Sequence, residues 1–231
     1  MQKTIGLIGG MSWESSALYY KIINQEVKQK LGGVHSCKSL MYSVDFADIA
    51  TLQHNGEWDK LSEIMINAAR ALESGGAEFI VLCTNTMHKL ADDISGSVSI
   101  PMVHIADATG EAIKAENVKR VGLLGTKFTM EQDFLKQRLA DRYAIETIIP
   151  SASDRDIVHD IIYQELVKGI ITKRSQNAYL EIIDDLIALG AEAIVLGCTE
   201  IGLLISPDVT EHRLFDTTII HAKKAVAFSL E

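Results

Sequence analysis

The chain has 231 residues, a formal net charge of -9 and a sequence pI near 5.3. That length supports one large domain or two small ones around a sizeable core, and the acidic balance speaks against nucleic acid as a partner. No apolar stretch approaches the ~20 residues of a membrane span, so no membrane contact is expected. Three cysteines do not make a disulfide framework, and residues 1–6 leave no room for a signal peptide before the first strand. The expected setting is the reducing cytoplasm.

Residues 4–10 read as a buried strand entering a turn at Gly9-Gly10. Ser12 or Ser15 can cap a helix carrying Tyr19, Ile22, Ile23 and Val27, which Gly32-Gly33 closes. Residues 39–44 form a second strand, followed by an expected loop through Asp48, Gln53 and Asn55. Trp58, Leu61, Ile64, Met65, Ala68, Ala69 and Leu72 then line one helical face, stopped at Gly75-Gly76. Residues 76–88 read Gly-Ala-Glu-Phe-Ile-Val-Leu-Cys-Thr-Asn-Thr-Met-His. An apolar run ending abruptly in small polar groups is how a buried parallel strand leaves its sheet. A short extended piece at 101–105 and a helix over 107–116 follow.

The second half repeats the first. Residues 120–126 match the opening strand and turn. Thr129 and Gln132 are spaced as a capping box for the next helix. A strand over 146–149 and helices over 154–168 and 175–189 lead to residues 190–200, Gly-Ala-Glu-Ala-Ile-Val-Leu-Gly-Cys-Thr-Glu. Residues 215–218 open a closing helix. Ile5 aligns with Val121 and Ile80 with Ile194, at nearly equal offsets of about half the chain. The fold class expected is α/β: two pseudo-symmetric lobes, each with a parallel sheet, facing one another across a cleft. The lobes are expected over 1–105 and 106–214, with the closing helix of 215–231 packing on the first.

Superposing the two Gly-Ala-Glu and Ile-Val-Leu stretches places Thr84 opposite Cys198. Ligands of open α/β sheets bind just beyond the carboxyl ends of strands, so two equivalent strand ends offer a hydroxyl and a thiol to one site. The Gly6, Gly9 and Gly10 run is not G-x-G-x-x-G; a tight turn is its plainer reading, although its amides could hold a carboxylate. The seven histidines never pair at ligand spacing on one helix and no Cys-x-x-Cys occurs, so no metal is expected. Cys37 and Cys83 read as packed residues. Cys198 follows a glycine, precedes two polar residues and sits where the strand opens. A thiol of reference pKa about 8.5, lowered by amides at a helix start, can take a carbon-bound proton near neutrality. Moving an α-proton from one face of a carbon to the other needs two flanking groups, with donors at the carboxylate to stabilise the carbanion. The amides and side chains of Thr84-Asn85-Thr86 and Cys198-Thr199-Glu200 are the candidate donors.

On Gly9-Gly10-Met11-Ser12, Asn85-Thr86-Met87-His88 and Gly197-Cys198-Thr199-Glu200, the chain resembles the aspartate/glutamate racemase family over essentially its whole length. It looks nearest to the bacterial branch of aspartate/glutamate-specific and broad-specificity enzymes. The resemblance implies racemisation without pyridoxal phosphate or any other cofactor, a small amino-acid substrate and a homodimer. The family pattern uses two cysteines, the first in Cys-Asn-Thr. Here the motif is Thr84-Asn85-Thr86, and Cys83, one place early, turns to the other face of its strand. Thr84 and Cys198 are therefore the catalytic candidates. Met11, Gln53, Asn85 and Thr86 from the first lobe, and Thr126, Glu165 and Thr199 from the second, are the implied substrate-binding set. Related aspartate racemases place an arginine near the Gln53 loop, but none occurs between Asp45 and Lys60. Lys168 is the nearest candidate cation, and it reads equally as a solvated helix residue. Two rival readings are a single-cysteine decarboxylase or maleate-type isomerase of the same superfamily, and a binding module without turnover.

Overall fold

Apolar residues of β1 (Ile5–Gly9) and β3 (Phe79–Leu82) are buried at every position, as central strands covered on both faces must be. They belong to a computed structural model that describes residues 2–231, Met1 lying outside the described residues. The chain divides into two units, one running to His104 and resuming over His221–Glu231, the other Ile105–Ile220.

In the first unit, β1 is followed by α1 (Trp13–Leu31), β2 (Ser39–Ser43), α2 (Phe46–His54), α3 (Trp58–Ser74), β3, α4 (Ala91–Ser97) and β4 (Met102–Val103). The strands are parallel in the order β2-β1-β3-β4. Strand alternation splits the core in two. Ile8, Ile80 and Leu82 pack with Leu61, Met65 and Leu72 of α3. Ile5, Leu7, Phe79, Val81 and Cys83 pack with Tyr19, Ile23 and Val27 of α1 and with Ala222, Ala225 and Val226 near the C-terminus. Ser12 caps α1, accepting from the Ser15 amide at 3.3 Å. The expected loop through Asp48, Gln53 and Asn55 is instead α2. Asp45 caps it through the Ala47 amide at 3.0 Å, and it buries only Ile49 and Gln53.

The second unit runs α5 (Ile105–Ala115), β5 (Arg120–Gly125), α6 (Lys127–Glu131), α7 (Asp133–Tyr143), β6 (Glu146–Ile148), α8 (Ala152–Gln164), α9 (Lys173–Ala188), β7 (Ala193–Gly197), α10 (Ile201–Leu204) and β8 (Leu214–Asp216). Its parallel sheet has the order β6-β5-β7-β8. The closing helix α11 spans Thr217–Leu230. Three local expectations are corrected. The cap is Thr126, whose hydroxyl accepts from the Thr129 amide and starts α6; Gln132 makes no side-chain cap for α7. Residues 214–216 form an edge strand, so the closing helix begins later than 215. The helix over 154–168 stops at Gln164, and a 3₁₀ turn, Leu166–Lys168, takes over.

Asp107 on α5 accepts a bidentate pair from Arg138 on α7, both bonds 2.7 Å, and a third from Arg142 at 2.9 Å. Fork-to-fork pairing of this kind fixes geometry as well as adding energy. Gly110 on α5 lies where a Cβ would enter the ring of Tyr143.

The two sheets share order and register. Ile8 pairs with Leu82 in the first, and Leu124 with Leu196 in the second. Counting two residues on from each leucine reaches Thr84 and Cys198.

Candidate active site

In the first unit, the chain leaves β3 through Cys83, whose thiol is fully buried and pushed up by that burial. Its side chain belongs to the core on the α1 side of the sheet. Thr84 comes next, and both ends of its backbone are held. Its amide donates to Leu82 O at 2.9 Å, and its carbonyl accepts from His88 Nδ1 at 2.7 Å. A carbonyl only accepts, so Nδ1 carries the hydrogen. Asn85 and Thr86 are buried beside it, at the start of a 3₁₀ turn, Thr86–Leu90. Gln53, on α2, donates from Nε2 to Met87 Sδ at 3.2 Å, and Met11 and Met87 share one core cluster. The structure thus brings Gln53 against Met87, in the segment that carries Thr84, Asn85 and Thr86, and places Met11 in the same core cluster.

The glycine turn does not offer a spare amide at Gly10. That N–H donates to Ser16 Oγ at 2.7 Å. Gly10 has φ +91°, and a Cβ there would strike the backbone of Val44. Chain reversal and close approach account for this glycine, as the tight-turn reading expects, and the Gly10 amide is already committed.

In the second unit, Gly197 delivers the chain to Cys198 through a narrow gap: a Cβ on Gly197 would stand 2.8 Å from Leu123 Cδ1 and 2.9 Å from Leu124 O. Cys198 is half-buried. Its thiol donates to Glu200 Oε2 at 3.0 Å, and Thr199 Oγ1 donates to the same oxygen at 2.6 Å. Burial, and then the Glu200 charge and hydrogen bond, push the thiol well above its ordinary range. The amides of Glu200 and Thr199 pull the other way and are outweighed. The expected depressed pKa is therefore corrected. Two amides next to a buried carboxylate do not stabilise a thiolate enough to overcome desolvation and like charge. Glu200, expected among the donors, is the acceptor.

Two tyrosines that the sequence reading passed over respond to the same charges. The phenols of Tyr163 on α8 and Tyr179 on α9 are pushed up, first by burial and next by Cys198. Glu200 adds to both, and Glu165 to Tyr179. Tyr179 donates to Val158 O at 3.1 Å. Glu165 Oε2 accepts from Ser175 Oγ at 2.5 Å and from Thr172 Oγ1 at 3.3 Å, bracing the start of α9. Thr126 is occupied as the α6 cap. Lys168 is exposed, with Gln164 as its hydrogen-bond partner at 3.3 Å. Among the described residues, no group of three or more His, Cys, Asp or Glu is placed to hold a metal ion, and no helix is long and apolar enough to cross a membrane.

The profile of the Asp/Glu/Hydantoin racemase family matches residues 8–225. The chain belongs to the Asp/Glu racemase family. A Yersinia pestis protein solved as a candidate Asp/Glu racemase is 50% identical, covering 99% of this chain and 100% of that one, with a TM-score of 0.92. An aspartate racemase homologue from Pyrococcus horikoshii OT3 is 34% identical with full coverage of both chains and a TM-score of 0.84. Among curated relatives, the broad specificity amino-acid racemase RacX of Bacillus subtilis (strain 168) is 25% identical over 242 residues, 96% of each chain. The two-sheet α/β architecture described above is the fold of these racemases.

Proposed function

We propose that the chain is a cofactor-independent amino-acid racemase in which Thr84 and Cys198 serve opposite faces of the substrate α-carbon. The observation that carries this reading is the matched register of the two sheets, which makes Thr84 and Cys198 equivalent positions beyond β3 and β7. Two-sided proton transfer requires two such groups.

The resting thiol is protonated, because its pKa is raised. In one direction it donates to the carbanion. In the other it must first lose its proton, and Glu200 Oε2, already accepting from Sγ, is the group placed to take it. Thr84 passes a proton between the α-carbon and a neighbour and does not hold charge itself, since an aliphatic hydroxyl is a far weaker acid than a thiol. Asn85, Thr86 and Thr199 bind the α-carboxylate or ammonium, and Met11, Gln53, Thr126 and Glu165 complete the substrate surroundings. The Thr199 hydroxyl is already committed to Glu200, so its part falls to its backbone. Acidic amino acids are the first substrates to try, on the strength of the Pyrococcus horikoshii relative, and the relation to RacX supports a wider range. A homodimer and a cytoplasmic setting accompany this reading; sedimentation of the purified protein tests the first.

The deciding experiment is proton NMR in D₂O with each enantiomer of aspartate and glutamate, paired with chiral analysis. Loss of the α-proton with inversion from both enantiomers is expected. A Cys198→Ala variant that racemises as fast as the parent protein would overturn the assignment. Product losing CO₂, or turnover of maleate with no α-exchange of any amino acid, would transfer the site to the single-cysteine reactions. Tight binding without turnover would make it a binding module.

A further inference from the structure

His88 belongs to the motif that carries the family resemblance, yet the proton transfer described above gives it no task. It is buried, 2% exposed, in the 3₁₀ turn after Thr84. Its Nδ1–H donates to Thr84 O at 2.7 Å, while the amide of the same threonine is tied to Leu82 O. Thr84 is thereby gripped at both peptide units, which fixes the main chain from which its β-branched side chain projects in a restricted set of rotamers.

The imidazole that does the gripping is itself held. His104 packs edge-on at a ring separation of 4.6 Å, and His221 at 5.7 Å. His221 is fully buried, with Nε2 on Val103 O at 2.8 Å and Nδ1 on Tyr19 O–H at 2.9 Å. The carbonyl fixes the hydrogen of His221 on Nε2, so Nδ1 accepts from the tyrosine. His221 and His88 therefore hold their hydrogens on opposite ring nitrogens. Each ring has its orientation set by a main-chain carbonyl and by its aromatic neighbours. A buried, fully oriented array of this kind rigidifies what it touches.

We infer that His88 is the positioning residue for Thr84: its Nδ1–H bond to the Thr84 carbonyl, locked by His104, His221 and Tyr19, sets the aim of the threonine hydroxyl. The inference rests on the proposed racemase reading for its catalytic consequence, but not for its structural one. A misplacement of ~1 Å in a reacting group costs up to about 100-fold in rate. The loss must fall on the face that Thr84 serves and spare the face that Cys198 serves.

The test isolates each face. With Cys198→Ala as the background, α-proton exchange without inversion in D₂O reports Thr84 alone; with Thr84→Ala, it reports Cys198 alone. Adding His88→Ala should slow the first exchange by about 10- to 100-fold and leave the second within about 2-fold. His88→Asn, whose side-chain NH₂ stands where Nδ1 stood, should restore most of the loss. His88→Gln, which carries its NH₂ at the Nε2 position, should not. Equal losses on both faces, or equal behaviour of the Asn and Gln variants, would overturn the inference. Amide hydrogen exchange supplies a readout independent of turnover. Protection of the Thr84 amide should fall in His88→Ala and hold in His88→Asn; unchanged protection in a folded His88→Ala protein would also overturn it. Should the parent protein exchange no amino acid, the racemase reading fails while the amide measurement still judges His88. If His88→Ala does not fold, the Asn and Gln pair decides alone.

Discussion

Cys198 Sγ and Thr199 Oγ1 both donate to one oxygen, Glu200 Oε2, at 3.0 and 2.6 Å. Three consecutive residues thus fold back on a single buried carboxylate, which holds the thiol in its protonated form. The arrangement makes proton ownership, more than nucleophilicity, the quantity that Glu200 controls.

Glu200→Gln removes the negative charge beside the sulfur, so the thiol pKa should fall towards its ordinary range. The measurement is the rate of alkylation by iodoacetamide as a function of pH. The midpoint should move to lower pH and the rate at neutrality should rise. Racemisation should fall by about 10²-fold, since the acceptor for the thiol proton is gone. A thiol that becomes less reactive would contradict this account of the site.

Cys198→Ala should lose racemisation by about 10²- to 10⁴-fold, the usual contribution of a positioned acid or base. Cys83→Ala should leave the rate nearly unchanged, because that thiol faces the core on the α1 side. It should cost stability instead, read as an earlier midpoint in urea. Equal rate losses in the two variants would put the reactive sulfur in the wrong strand.

His221 links stability to pH. Burial lowers its pKa from 6.5 to about 4 in the folded protein. Above pH 6.5 both folded and unfolded states keep the ring neutral, and stability is at its full value. Between pH 6.5 and 4 only the unfolded state takes up this proton, so the His221 contribution declines, by about 3 kcal/mol in all, and that contribution levels off below pH 4. Urea unfolding across this window should show that slope, and His221→Gln should flatten it.

Gly110→Ala should destabilise by about 1–3 kcal/mol, although alanine is the better helix former. The reason is the Tyr143 ring, which occupies the space a Cβ needs. Gly96 on α4 has nothing within 4 Å of that position. Gly96→Ala should stabilise by about 0.4–1 kcal/mol. Thermal unfolding of the pair separates steric exclusion from helix propensity.

The repeat was legible because β3 and β7 carry the same apolar run after the same Gly-Ala-Glu, and buried parallel strands need little else. The helix α2 was not, since it turns only Ile49 and Gln53 inward and shows no long stripe. β8 was missed because three residues carry too little pattern to separate a strand from the start of α11. Thr129 and Gln132 matched a capping pattern whose hydrogen bonds go elsewhere, to Thr126. The equivalence of Thr84 and Cys198 beyond β3 and β7 could be read by counting. The raised thiol could not, because it depends on how the loop after β7 folds Glu200 back on Cys198. Tyr163, Tyr179, Tyr19 and His221 come from helices remote in sequence, and no local spacing announces them.

Racemisation sets a thermodynamic limit on what the two equivalent positions, Thr84 and Cys198, can express. Mirror-image amino acids have equal free energies in water, so their equilibrium ratio is one. The ratio of kcat/KM for the two directions must then also be one, however unlike a threonine and a cysteine are as acids. A duplicated fold that carries different groups at its two equivalent positions cannot convert that difference into a net preference for either hand. The difference surfaces only in kcat and KM changing in step, and in which enantiomer first gains deuterium from solvent.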